Sequence, residues 1–238
     1  TIIKNVKSIK GNSLAEFATT TALMATLAAT AAPKLSEMSE GAKGEKSRNE
    51  LDKLVKQAGQ FYQDTADTEG RGRFPGQERF SIALGAANGQ TYDNKDAMTQ
   101  GDIDDAIEAS GTHTTAIHDD LGIGTGEGWK QYDDTHASVW VSVFGTSNAD
   151  APLPNGVVGV INDPAQAADA TDGTPGLGNG PSEWKSLLGG ETLVSKFQDG
   201  HYVYSIVAGG GSGDAVYPPV LFVADIENCV NFNNLLEP

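Results

Sequence analysis

The sequence predicts an α+β chain: a long N-terminal helix whose hydrophobic half protrudes, packed by its other half against a small antiparallel sheet with long loops. Three observations carry this. Residues 17–32 form an uncharged run. Beyond it, apolar residues continue at largely helical spacing as far as Tyr62. After position 110 the chain turns rich in Gly, Pro and Asp, with short stretches in which apolar and polar residues alternate. Charge divides the 238 residues in a similar place. Residues 1–79 hold 12 basic and 10 acidic side chains, whereas residues 80–238 hold 4 basic and 22 acidic ones. The two parts therefore do different jobs.

The first element is a basic, leader-like segment, residues 1–11, with Lys4, Lys7 and Lys10 and no acid. A long helix follows over residues 12–70, hydrophobic over 12–33 and amphipathic over 34–66. Basic residues ahead of about 20 apolar ones fit a membrane segment with its positive flank inside. Leu23, Met24 and Leu27 are its strongest apolar members, and five threonines dilute it. A threonine can return its hydroxyl to a helical carbonyl, so the run can still cross as a helix. A secretory signal is the rival reading, since Ala28–Ala32 supplies small residues for cleavage. Glu16 opposes it: a carboxylate just inside an apolar run is costly in lipid and marks function.

Past Pro33, the residues Leu35, Met38, Leu51, Leu54, Val55, Ala58, Phe61 and Tyr62 form the expected apolar face. Gly41 and Gly44 weaken the middle and mark a joint or a close helix–helix contact.

Gly11, Glu16 five residues on, Pro33 twenty-two residues on, and Gly72-Arg73-Phe74-Pro75 after Phe61-Tyr62-Gln63-Asp64 together resemble the type IV pilins and the type II secretion pseudopilins. The resemblance covers roughly residues 1–76; Asn12 stands where the family usually has Phe. It implies cleavage between Gly11 and Asn12 by a prepilin peptidase, with methylation of the new N-terminus. It implies anchoring in the inner membrane and then polymerisation, driven by pilus assembly machinery, into a helical homopolymer at the cell surface. Glu16, Phe17, Leu23, Leu27 and Pro33 would be its assembly residues. Glu16 would pair with a neighbour's N-terminal amine, and Pro33 would bend or melt the helix.

The head, residues 71–238, is expected to hold strands at Ser138–Phe144, Val157–Ile161, His201–Val207 and Val220–Ala224. Short helices or turns are expected at Phe80–Ala87, Asp102–Ser110 and Pro181–Leu188. Long loops are expected at Asp119–Gly128, Ala149–Gly156, Asp163–Gly180 and Ala208–Asp214. Cys229 is the single cysteine, so no internal disulfide can form; a buried structural thiol is expected.

No catalytic constellation converges. His113, His118, His136 and His201 lack zinc spacing, and there is no P-loop or Gly-x-Ser-x-Gly. The expectation is therefore a protein that is not an enzyme and needs no cofactor. The acidic head excludes nucleic acid as a partner. Calcium is the remaining metal chemistry, with Asp93, Asn94 and Asp96 as one oxygen-rich patch and Asp169 and Asp172 as another, neither in the calcium-loop register. Trp129, Tyr132, Trp140 and Trp184 could line a glycan surface or pack a core. Three functions follow: a subunit of a pilus-like filament, a secretion pseudopilin, or a membrane-tethered protein that binds calcium or glycans.

Overall fold

The computed structural model describes residues 10–84, 113–123, 128–129, 139–154, 179–196, 200–211 and 216–238, with side chains from Leu14 onward. Its longest element is α1, Lys10–Glu69. Residues 113–121 form α2, and α3 spans Gly180–Leu187. Strands β1 (Val141–Ser142), β2 (Tyr202–Val207), β3 (Val220–Asp225) and β4 (Asn233–Leu236) make one antiparallel sheet in the order β1-β2-β3-β4. The architecture is thus α+β. The chain separates into two compact units, residues 1–44 and 45–238, so the second part of α1 belongs to the unit that holds the sheet.

In the larger unit, Leu51, Leu54 and Ala58 are buried, with Val55 and Tyr62 packed beside them. These positions recur at three, four and seven residues and so share one helix face. They meet one face of the sheet, formed by Tyr202, Tyr204, Ile206, Leu221 and Val223, together with Trp184 of α3. Each fully buried leucine here contributes about 1.5–3 kcal/mol. The alternate residues of β2 and β3, Val203, Phe222 and Ala224, face the other way. They join a second core of Ile117, Trp129, Trp140, Ile226 and Cys229. Both sheet faces are therefore covered, and β2 and β3 read as near-continuous apolar runs.

Several expectations are corrected. Leu35 and Met38 do not join the core; they are 65% and 69% exposed. The expected strand at Ser138–Phe144 shrinks to two residues, because residues 143–144 bend away after Val143 donates its N–H to the Tyr202 carbonyl. The start of the expected loop at Asp119–Gly128 is helical to Leu121. Strand β4 was not expected: its sequence, Asn-Asn-Leu-Leu, is a poor strand former. It is held by pairing to β3 and by Asn234 Nδ2 donating to Asp52 Oδ1 at 2.7 Å. The helix at Pro181–Leu188 and the strands at 201–207 and 220–224 form within a residue of expectation. The candidates at Asp102–Ser110 and Val157–Ile161 lie outside the described residues.

Candidate assembly interface

In the N-terminal unit the described large apolar side chains face outward. Leu14, Phe17, Leu23, Met24, Leu27, Leu35 and Met38 are all exposed. Phe17, Met24, Leu27, Leu35 and Met38 recur at intervals of 7, 3, 8 and 3 residues, which places them on one side of the helix. Glu16 borders that side, seven residues before Leu23. Among the described residues its carboxylate has no ion-pair partner.

The five threonines satisfy themselves. Thr19 and Thr20 donate to the Glu16 carbonyl, Thr21 to Phe17, Thr26 to Leu23 and Thr30 to Thr26, all at 2.7–3.0 Å. Each hydroxyl therefore enters an apolar environment already bonded, which removes most of its desolvation penalty. By length and composition the helix is apolar enough to cross a membrane, with a mean hydropathy of 1.2 over its most apolar window. Gly11 and Asn12 lie in its first turns. Pro33 does not melt it; helical structure continues on both sides. Proline lacks an N–H, so one carbonyl four residues back loses its helical partner there. A Cβ at Gly41 would meet nothing within 4 Å, so no packing demand explains that glycine.

In the larger unit, further polar contacts hold α1 in place. Where α1 enters this unit, Ser47 Oγ lies 2.8 Å from Ser195 Oγ, and the Tyr202 hydroxyl donates to Glu50 Oε2 at 3.0 Å. At its end, the Gly72–Pro75 segment builds a clamp. Arg73 is almost wholly buried. Its Nε donates to both carboxylate oxygens of Glu69 at 3.0–3.1 Å. Its Nη1 donates to Glu183 Oε1 at 3.0 Å and to the Gln77 carbonyl at 3.1 Å. The guanidinium also stands 5.0 Å from the centre of the Phe61 ring. The second Glu183 oxygen accepts the Gly76 N–H at 2.7 Å. Thr65 Oγ1 accepts the Arg73 N–H, and Gln77 Oε1 accepts the Phe74 N–H. One arginine thus ties the end of α1, the turn after it and α3 together. Burial pushes the Glu183 carboxyl above its ordinary range, and the Arg73 charge pulls it part of the way back.

Sequence motifs pointed to Arg73 but not to Thr65, Gln77 or Glu183. Glu69, the last residue of α1 and four before Arg73, was not singled out either. Glu183 is 110 residues away, and no local pattern announces it.

The buried polar groups elsewhere serve the core. His201 Nδ1 donates to the Ala151 carbonyl at 3.0 Å, so its Nε2 accepts from Ser142 Oγ at 2.6 Å. That pair has nucleophile–base geometry, but both residues are fully buried and sealed from substrate. His113 packs against Ser205, and burial holds its imidazole down to about 4. Burial raises the Asp225 carboxyl, and burial likewise pushes the Cys229 thiol well up, leaving it inert.

Trp129, Trp140 and Trp184 are buried in the two cores and form no glycan surface. Trp129 and Trp140 spend their indole N–H groups on the Ile226 carbonyl and on Asp120. Tyr132 and the calcium candidates Asp93, Asn94, Asp96, Asp169 and Asp172 lie outside the described residues. Among the described residues no cluster of His, Cys, Asp or Glu could hold a metal ion. Comparison with family models, with curated proteins and with solved structures returns no match.

Proposed function

We propose that this chain is the structural subunit of an extracellular type IV pilus-like filament, anchored first in the inner membrane and polymerised through its N-terminal helix. The observation that carries the reading is the outward apolar side of residues 17–38, bordered by Glu16. Seven large apolar side chains exposed on one helix require cover, by lipid before assembly and by other copies after it. Self-bonded threonines make that cover inexpensive in lost hydration. Glu16 then fixes register: a buried carboxylate stabilises only the arrangement that supplies a cation. Gly11 and Asn12 flank the bond that prepilin peptidase would cut.

A secretion pseudopilin is the second reading within this class, favoured by the Gly72–Pro75 clamp at the end of α1. Both share the same assembly chemistry.

The test is to purify the protein in detergent, remove the detergent, and inspect by negative-stain electron microscopy. Regular filaments are expected, and Leu23→Asn/Leu27→Asn is expected to abolish them while the head stays folded by circular dichroism. Monomers or amorphous aggregate from the unaltered protein would overturn the proposal.

A further inference from the structure

The larger unit carries a concave feature outside the residues proposed for assembly. An open trough of about 490 Å³ is lined by Tyr62, Phe80 and Tyr217, by Arg71, and by Val216 and Pro218 among others. The three rings are each pressed against a glycine. A Cβ at Gly72 would strike the Tyr62 ring, and one at Gly210 would strike Tyr217. At Gly209 a Cβ would stand 2.9 Å from Phe80 Cδ2. The three glycines leave room for the rings to pack against the backbone, and a ring already packed on one side loses less freedom when a ligand stacks on the other. The Arg71 guanidinium lies 4.6 Å from the centre of the Phe80 ring. Among the described residues no carboxylate pairs with it, and it is exposed.

This combination sets the ligand's chemistry. The rings ask for apolar C–H faces. Arg71 offers only donors, in a planar fork that fits two neighbouring oxygen acceptors. The field of the chain excludes a polyanion, since residues 80–238 hold 22 acidic and 4 basic side chains. A pyranose ring meets all three demands, with C–H faces, vicinal hydroxyls and no charge. A proline-rich peptide offers the faces, but its carbonyl acceptors are not paired to fill the fork. We propose that the trough binds a neutral hexose glycan, stacked on Tyr217 and hydrogen-bonded through Arg71. The proposal rests on the larger unit alone and does not depend on the filament reading.

The test uses the full chain in a detergent without sugar headgroups. The probes are maltohexaose, cellohexaose, hexagalacturonate and a nine-proline peptide, followed by saturation-transfer NMR and calorimetry. Binding of a neutral hexasaccharide is expected. Tyr217→Ala and Arg71→Ala should each weaken it about tenfold, with unchanged Tm because both side chains are exposed. Gly210→Ala, which displaces the Tyr217 ring, should weaken it as well. No binding of either neutral sugar at about 10 mM, a free energy too small for recognition, would overturn the proposal. So would sugar binding indifferent to Tyr217→Ala, or binding of only the proline peptide or the uronate.

Discussion

Arg73 shows how much one side chain organises. Its clamp satisfies two carboxylates and a carbonyl and supports the turn that closes α1. Removing the guanidinium leaves Glu183, whose side chain is only 17% exposed, with the Gly76 N–H alone, whereas Glu69 can turn to water. Arg73→Met is expected to cost about 2–4 kcal/mol in urea unfolding, less than the full cost of breaking a wholly buried pair. A loss below about 0.5 kcal/mol, the range of ordinary surface substitutions, would show that the clamp is ornamental. His113 makes a pH prediction. Its folded value near 4 lies below the ordinary 6.5, so the unfolded chain takes up a proton first as pH falls. Its contribution is complete above about 6.5 and is lost progressively towards pH 4, on the order of 2–3 kcal/mol. Glu183 and Asp225 act in the opposite sense: their raised values make the folded state more stable as their carboxylates are protonated. The difference between the unaltered protein and His113→Gln isolates the histidine. That difference should vary between pH 7 and pH 4, and a constant difference would contradict the assignment.

The helix α1 has two halves with opposite relations to water. Leu54 is fully buried and Leu27 is 68% exposed. Leu54→Ala is expected to destabilise the unassembled protein by about 2–5 kcal/mol, and Leu27→Ala by under about 0.5 kcal/mol. If Leu27→Ala unfolded the monomer as readily, the outward side would be part of the core instead of an interface. This division was only half legible in the sequence. The apolar period identified the helix and the face through Leu51, Leu54, Val55 and Ala58. It also enrolled Leu35 and Met38, because periodicity marks a face that wants cover without saying whether this chain provides it. Strands β2 and β3 were legible because they are β-branched and aromatic. Strand β4 was not, since pairing and Asn234 hold it more than propensity does. The second core escaped notice because its members, Ile117, Trp129, Trp140 and Cys229, come from four separate segments. Of the clamp, the Gly72–Pro75 motif marked Arg73, but neither Glu69 nor the distant Glu183 was legible.

At the scale of the whole molecule, sequence and structure divide the labour along the chain. A folded, acidic unit with two cores is joined to a helical segment in which, among the described residues, no large side chain is buried. The central claim is that this segment is retained and covered by lipid and then by other copies. The rival is that the small residues Ala28–Ala32 serve a signal peptidase and the segment is discarded. The first residue of the protein isolated from the cell surface, read by mass spectrometry of the intact chain, separates the two. The account predicts a start at Asn12, methylated, with Glu16 and the apolar side of the helix still present. A start beyond Ala32 would contradict it, because the interface proposed for assembly would be absent from the mature protein.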